Sequence, residues 1–321
     1  MSFFNIQGVF EARPVVYRHL KPTPLLNHPL LDAYLGTCAM VKHENHNPTG
    51  SFKIRGGLNY MARLSPEQRE AGVVTATRGN HGQSVALAAR INGVKAVIVV
   101  PHGNNPEKNA AMRAYGAELI EHGRDYDEAR ELVEEMQHER GMLYVHSANA
   151  PHLVHGVGTY TLEILEDLPN PDYIFVPLGG GSGTASVLTV VRAIAPKTKV
   201  IGVQAENAPA IYLSWKKGEM VTTDSADTIA DGLATRVPFE MTFEVIRRHV
   251  DDIVTVSEEE IREAVRQYFR TTHNLAEGAA AAPLAAAYKL RSQLQHKSVV
   301  LIHSGANIDT ALLREILSED A

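Results

Sequence analysis

The chain reads as an α/β protein with parallel sheets, folded into two lobes. Two local patterns predict this. Short β-branched runs alternate with helix-length amphipathic stretches, and the strand ends carry loops rich in glycine, asparagine and hydroxyl residues. Size agrees, since 321 residues with 44% apolar content leave room for one large or two medium cores.

The elements follow in order. Ser65-Pro66-Glu67-Gln68 is a capping box with proline at the first helical position, so a helix starts there. Val73–Ala76 reads as a buried strand and is followed by a helix from Gly82 to Asn92. Lys95–Val100 is a second strand, stopped by Pro101, and a helix over Pro106–Tyr115 leads to a third at Glu118–Ile120. The rhythm resumes with a strand at Tyr173–Pro177, a helix from near Thr184, and strands at Val200–Val203 and Val299–Ile302. Strands separated by helix-length segments pair in parallel through right-handed crossovers. Ser257–Glu260 is a second capping box, which makes the acidic run 258–260 a helix start rather than a metal site.

Composition removes several function classes. The net charge is -6 and no basic stripe exceeds Lys216-Lys217 or Arg247-Arg248, which excludes a nucleic-acid binder. No apolar run approaches the length of a membrane span. The single cysteine, Cys38, permits no intrachain disulfide and reads as a small packed side chain. The first residues lack the basic flank and apolar run of a signal peptide, so the expected compartment is the cytoplasm.

Four segments carry chemistry. Gly179-Gly180-Gly181-Ser182-Gly183 lies between a strand and a helix, where backbone N–H groups and the helix N-terminus suit a phosphate. It matches neither the dinucleotide fingerprint nor a nucleotide P-loop, and a ligand-free turn would look the same. Asn47–Gly57 places Lys53 just after a turn and near a helix start, where a partly desolvated amine loses proton affinity. A solvated surface lysine is the alternative. Thr75–His81 again runs strand, loop, helix; its hydroxyl, amide and imidazole groups suit a carboxylate, or merely cap the helix. His303–Asn307 ends the last strand with a serine hydroxyl, Ser304.

Together these segments resemble the serine/threonine dehydratase family of fold-type II pyridoxal-5'-phosphate enzymes, which also includes serine racemase. The resemblance runs from Pro24 to Asn307, with the Ser-Phe-Lys, Gly-Asn-His, glycine-rich and Ser-Gly-x-Asn segments in the family's order. It implies a tryptophan synthase β-like architecture with a large cofactor domain, residues 1–53 and 147–321, and a small closing domain, residues 54–146. By the same resemblance, Lys53 binds the cofactor pyridoxal 5'-phosphate and Phe52 packs beside its ring. Asn80 meets its 3'-oxygen, Gly179 to Gly183 with Ser182 cradle its phosphate, and Ser304 faces its ring nitrogen. Thr77, Arg78, Asn80 and His81 then lie on the loop that takes the substrate carboxylate. The implied reaction is loss of the β-hydroxyl from an L-threonine- or L-serine-type amino acid, giving a 2-oxo acid and ammonia, and the implied assembly is a homodimer. A neutral hydroxyl at the ring nitrogen favours prompt loss of a β-substituent over transamination.

The chain also departs from the family. Arg78 stands where the racemase has a serine, and Ser182 where a fourth glycine is usual. The family's acidic cation ligands fall at Gln204 and Ala210, so no metal is expected unless Glu206 compensates. Only about a dozen residues follow Asn307, so regulation through the family's C-terminal domain is not expected. His152 and His155 are helix neighbours without an evident third ligand, and His43 and His46 read as solvated or cofactor-loop residues. An amino-acid racemase, or a dehydratase acting on 3-hydroxyaspartate or an aryl-serine, would share this scaffold.

Overall fold

A computed structural model describes residues 3–124 and 126–319. Its strands are Leu25–Asn27 (β1), Ala39–His43 (β2), Val73–Ala76 (β3), Ala96–Val100 (β4), Glu118–Glu121 (β5), Leu143–Tyr144 (β6), Tyr173–Pro177 (β7), Lys199–Ala205 (β8), Asp252–Val256 (β9) and Val299–His303 (β10). They form two sheets, ordered β1-β2-β10-β7-β8-β9 and β5-β4-β3-β6. Every pairing is parallel except β1 with β2. The parallel α/β class expected from the alternating runs is what forms.

Parallel strands need cover on both faces, and their residues divide accordingly. In the larger sheet Phe175, Ile201, Val203, Val299 and Leu301 face one core, while Ile174, Val176, Val200, Val300 and Ile302 face the other. The smaller sheet repeats the rule with Val73, Ile98 and Val100 against Val74, Val97 and Val99. The first core is filled by the buried helix Gly278–Lys289, whose run of alanines lets its backbone lie close to the sheet.

Both capping boxes form, on Ser65 and on Ser257. Two helices start earlier than their composition suggests, at Asn80 instead of Gly82 and at Ser182 instead of Thr184. Strand β2 has no counterpart in the sequence reading, because Lys42 and His43 interrupt its apolar pattern although both are fully buried. Its charge is answered from elsewhere. Lys42 Nζ meets Glu163 Oε2 at 2.5 Å, and the Arg55 guanidinium forks between Glu44 and Glu163 at 2.6–2.9 Å. This sealed cluster ties β2 to the helices Lys53–Ala62 and Pro151–Asp167. Those helices touch so closely at Gly156 that a Cβ there would sit 2.5 Å from the Arg55 carbonyl oxygen. Two side chains differ from expectation. Cys38 is exposed rather than packed, since β2 begins only at the next residue. His43 is not solvated: it is enclosed by His28, His46 and His303, and burial pushes its pKa down to about 3. Among the described residues no helix is long and apolar enough to cross a membrane.

Candidate active site

Parallel sheets present their loops at the carboxyl ends of the strands, and here the loops after β3, β7 and β10 converge. With the start of the helix Lys53–Ala62 they enclose a cavity of about 540 Å³. Phe52, Lys53, Thr77, Arg78, Asn80, His81, Gly179, Gly180, Gly181, Ser182, Gly183 and Ser304 all line it.

The glycine loop is shaped by close approach. A Cβ on Gly179 would lie 1.9 Å from the Gly232 carbonyl oxygen, and Gly181 caps the next helix with φ +87°. The first-turn N–H groups of the helix Ser182–Ile194 have no carbonyl of their own helix to meet. At that helix start the Lys53 amine donates to Ser182 Oγ at 2.8 Å and to the Ser147 carbonyl at 3.3 Å. Burial pushes the Lys53 pKa down to about 8, with Glu277 pulling weakly the other way. The Phe52 ring centre lies 5.1 Å from the Lys53 Nζ. The Phe52 N–H donates to the Ser304 carbonyl at 3.0 Å, so the lysine turn is fastened to the end of β10. Ser304 itself is 2% exposed.

Asn80 is held from two sides. Its Nδ2 donates to Glu277 Oε1 at 2.7 Å, and its Oδ1 accepts from Asn307 Nδ2 at 2.7 Å. One amide N–H remains to face the cavity. Thr77 Oγ1 accepts from the N–H groups of Gly79 and Gly82, so it does act as the cap of its helix. Arg78 is exposed on the cavity wall. The His81 imidazole is held by the backbone. A carbonyl oxygen only accepts, so the 2.9 Å contact to Val145 places the hydrogen on Nε2 and leaves Nδ1 as an acceptor. Burial, with the Lys53 charge beside it, pushes this imidazole down to about 3. It is neutral and offers an anion no donor.

The sequence reading did not name Glu277 and His146, which both belong to the cavity wall. Glu277 is buried at the N-terminus of the alanine-rich helix yet makes no capping bond; burial raises its pKa, against the pull of Lys108 and Asn80. Nothing local distinguishes it from an ordinary helix start. His146 follows the two-residue strand β6, with its Nδ1 bonded to the N–H groups of Ala148 and Asn149. The only signal was its place in the loop after an unrecognised strand.

The residues at the family's cation positions are engaged within the chain. Gln204 Oε1 accepts the Tyr212 N–H at 2.7 Å, and Glu206 faces the Lys289 ammonium at 3.4 Å, with Glu260 at 3.2 Å from the same ammonium. Ala210 is buried at a helix start. His155 Nε2 accepts the Asn5 N–H at 3.3 Å instead of turning to a ligand. Among the described residues no group of three metal-ligating side chains converges.

Comparison with known proteins agrees with this geometry. Residues 16–305 match the family described as pyridoxal-phosphate dependent enzyme. An L-threonine ammonia-lyase of Thermotoga maritima is 38% identical, over 98% of this chain and 78% of the relative. A catabolic L-threonine dehydratase of Staphylococcus aureus is 37% identical, over 95% and 89%. Among solved structures, the processed form of threonine deaminase isoform 2 from Solanum lycopersicum superposes with a TM-score of 0.93 at 33% identity, covering 98% of this chain and 88% of that one. Maize serine racemase gives 0.92 at 31%, covering 99% and 98%. The fold, the converging loops and these likenesses agree: the chain belongs to the pyridoxal-phosphate dependent enzyme family.

Proposed function

We propose that this chain is an ammonia-lyase that removes the β-hydroxyl group of L-threonine or L-serine and releases a 2-oxo acid and ammonia. The observation that carries the reading is the Lys53 amine, desolvated and 2.8 Å from Ser182 Oγ at the rim of a glycine loop. The residues present fit pyridoxal 5'-phosphate. The loop 179–183 and the helix start behind it offer N–H groups for a phosphate, and the close contact at Gly179 leaves no room there for side chains. Lys53 would hold the aldehyde, Phe52 the ring, the remaining N–H of Asn80 the 3'-oxygen, and Ser304 the ring nitrogen. When bound, that cofactor supplies a conjugated ring that draws electron density from the substrate's Cα.

The chain's own groups do the rest. Lys53 Nζ, once free, takes the Cα proton, and a pKa near 8 keeps part of it as free base at neutral pH. Ser304 would offer the ring nitrogen a neutral hydroxyl, which would not hold a proton there as a carboxylate would, and this would favour prompt loss of the β-substituent. Arg78 binds a carboxylate at the exposed side of the cavity. A guanidinium offers donors only and no base for the second face of Cα, which disfavours racemisation. The threonine specificity named for the Thermotoga and Staphylococcus relatives supports threonine here. The reading also takes residues 54–146 as a small domain closing on residues 1–53 and 147–321, and the enzyme as a cytoplasmic homodimer without a metal.

Borohydride reduction of the cofactor-loaded protein, followed by peptide mapping, should place the label on Lys53. L-threonine and L-serine should give 2-oxo acid and ammonia with little α-epimer, ahead of 3-hydroxyaspartate and aryl-serines. A label on another lysine removes the site assignment. Epimer formed as fast as 2-oxo acid would replace the lyase by a racemase.

A further inference from the structure

We propose that His146 is a further catalytic residue, whose Nε2–H donates a hydrogen bond to the hydroxyl group that leaves the substrate; this rests on the β-elimination reading above. The tautomer is set by the chain itself. Nδ1 accepts the N–H groups of Ala148 at 3.1 Å and of Asn149 at 3.0 Å, so it carries no hydrogen and Nε2 does. The ring cannot swing, because it stands edge-on to Phe239, with centroids 4.6 Å apart and planes at 89°. It borders the same cavity as Lys53, and the next residue, Ser147, supplies the carbonyl that holds the Lys53 amine.

The Nε2 end is free among the described residues. Among the described residues no hydrogen bond is made to it, and it is not among the buried polar atoms sealed off without a partner, as His81 Nδ1 is. What remains for it is the cavity. Burial first, then the charges of Lys53 and Arg130, push the imidazole down to about 4, so it is neutral across the working range. His146 therefore keeps a donor for the cavity, whereas His81 spends its N–H on the Val145 carbonyl.

A neutral donor at that point matches what elimination of hydroxide requires. The Cα–H electron pair becomes the Cα–Cβ π bond, the Cβ–O pair leaves with oxygen, and Lys53 Nζ, having taken the Cα proton, returns it to that oxygen, so water departs. Charge grows on the leaving oxygen as the bond stretches. A fixed N–H aimed at it is worth more in that state than in the bound substrate, and in an enclosed site more than in water. His146 holds the oxygen by this bond and does not surrender its own proton.

The test compares leaving groups in the cofactor-loaded enzyme. β-Chloro-L-alanine undergoes the same elimination, but chloride leaves without needing a donor. His146→Asn keeps an acceptor oxygen for the Ala148 and Asn149 N–H groups, in the turn geometry asparagine favours, and lacks the Nε2–H. Its kcat/KM for L-serine and L-threonine should fall about tenfold to a hundredfold, while that for β-chloro-L-alanine changes by less than about threefold. His146→Gln, whose amide nitrogen reaches the Nε2 position, should recover part of the hydroxy-substrate activity. Equal losses on both kinds of substrate, or no loss on either, overturn the proposal and leave His146 a structural residue. If the unaltered enzyme releases 2-oxo acid from chloroalanine but from no hydroxy amino acid, the dehydratase reading itself fails, and this inference with it.

Discussion

Lys53 begins its helix without a carboxylate in direct contact, and an ammonium there exchanges water for one hydroxyl and one carbonyl. That exchange is incomplete, so its pKa falls from 10.5 to about 8. Attachment of an aldehyde consumes the free base, which fixes the sign of the pH dependence. Capture of pyridoxal phosphate by the cofactor-free protein should quicken about tenfold per pH unit below pH 8 and level off above it. Absorbance of the reconstituting protein gives the rate, and a profile still climbing at pH 10 would show an ordinary lysine. Ser-Phe-Lys was legible as a motif, since its turn lies within a few residues. The direction of its pKa shift was legible from the helix start, but its extent was not, because the enclosing groups come from residues 147, 182 and 277. The tautomers of His81 and His146 were not legible either, each set by backbone that no local pattern reveals.

At the scale of elements, the helix carrying Lys53 is anchored by charge as well as by packing. Arg55, two residues after the lysine, is fully buried between Glu44 and Glu163, and Lys42 completes a cluster of two cations and two anions. A buried pair of this kind adds little over an apolar core, but removing one partner strands the others. Arg55→Met should therefore cost about 3–5 kcal/mol in denaturant unfolding, whereas exposed pairs such as Lys95–Glu118 should cost under about 1 kcal/mol when broken. Parallel losses from both variants would contradict the distinction. The acid limit has a definite direction too. Burial raises the Glu163 pKa, but Arg55 and Lys42 outweigh it and hold the carboxyl below its usual range. Its contribution is whole above the unfolded value, about 4.3, and is lost as pH falls through the lower native one. The capping boxes at Ser65 and Ser257 were legible because their bonds span three residues. Strand β2 was not, because its buried Lys42 makes sense only with Glu163, 121 positions away.

Across the whole molecule, contacts tie the segment carrying the small sheet to the rest. Lys108 Nζ meets Asp231 Oδ2 at 2.6 Å, Asn105 Nδ2 meets Asp309 Oδ2 at 2.6 Å, and the Tyr115 hydroxyl donates to the Pro48 carbonyl at 2.7 Å. If residues 54–146 close as proposed, these are the bonds that hold the closed state. L-alanine, which has an amine and carboxylate but no leaving group, should then slow amide exchange in the helices Asn80–Ile91 and Pro106–Ala114 of the cofactor-loaded enzyme. Asp231→Asn should lessen that protection, and exchange indifferent to the ligand would mean that the segment does not move. By itself the sequence determined the α/β class, the strands β3, β4, β5, β7, β8 and β10 in nearly their observed places, and the loops that line the cavity. Periodicity, capping and turns are all written within a few neighbouring residues. The tertiary structure alone decided that Lys53, Asn80, His146, Ser182, Glu277 and Ser304 share one cavity, which of them are neutral, and which nitrogens carry hydrogen. Those properties depend on burial and on partners brought from distant parts of the chain, and neither exists until the two sheets have packed.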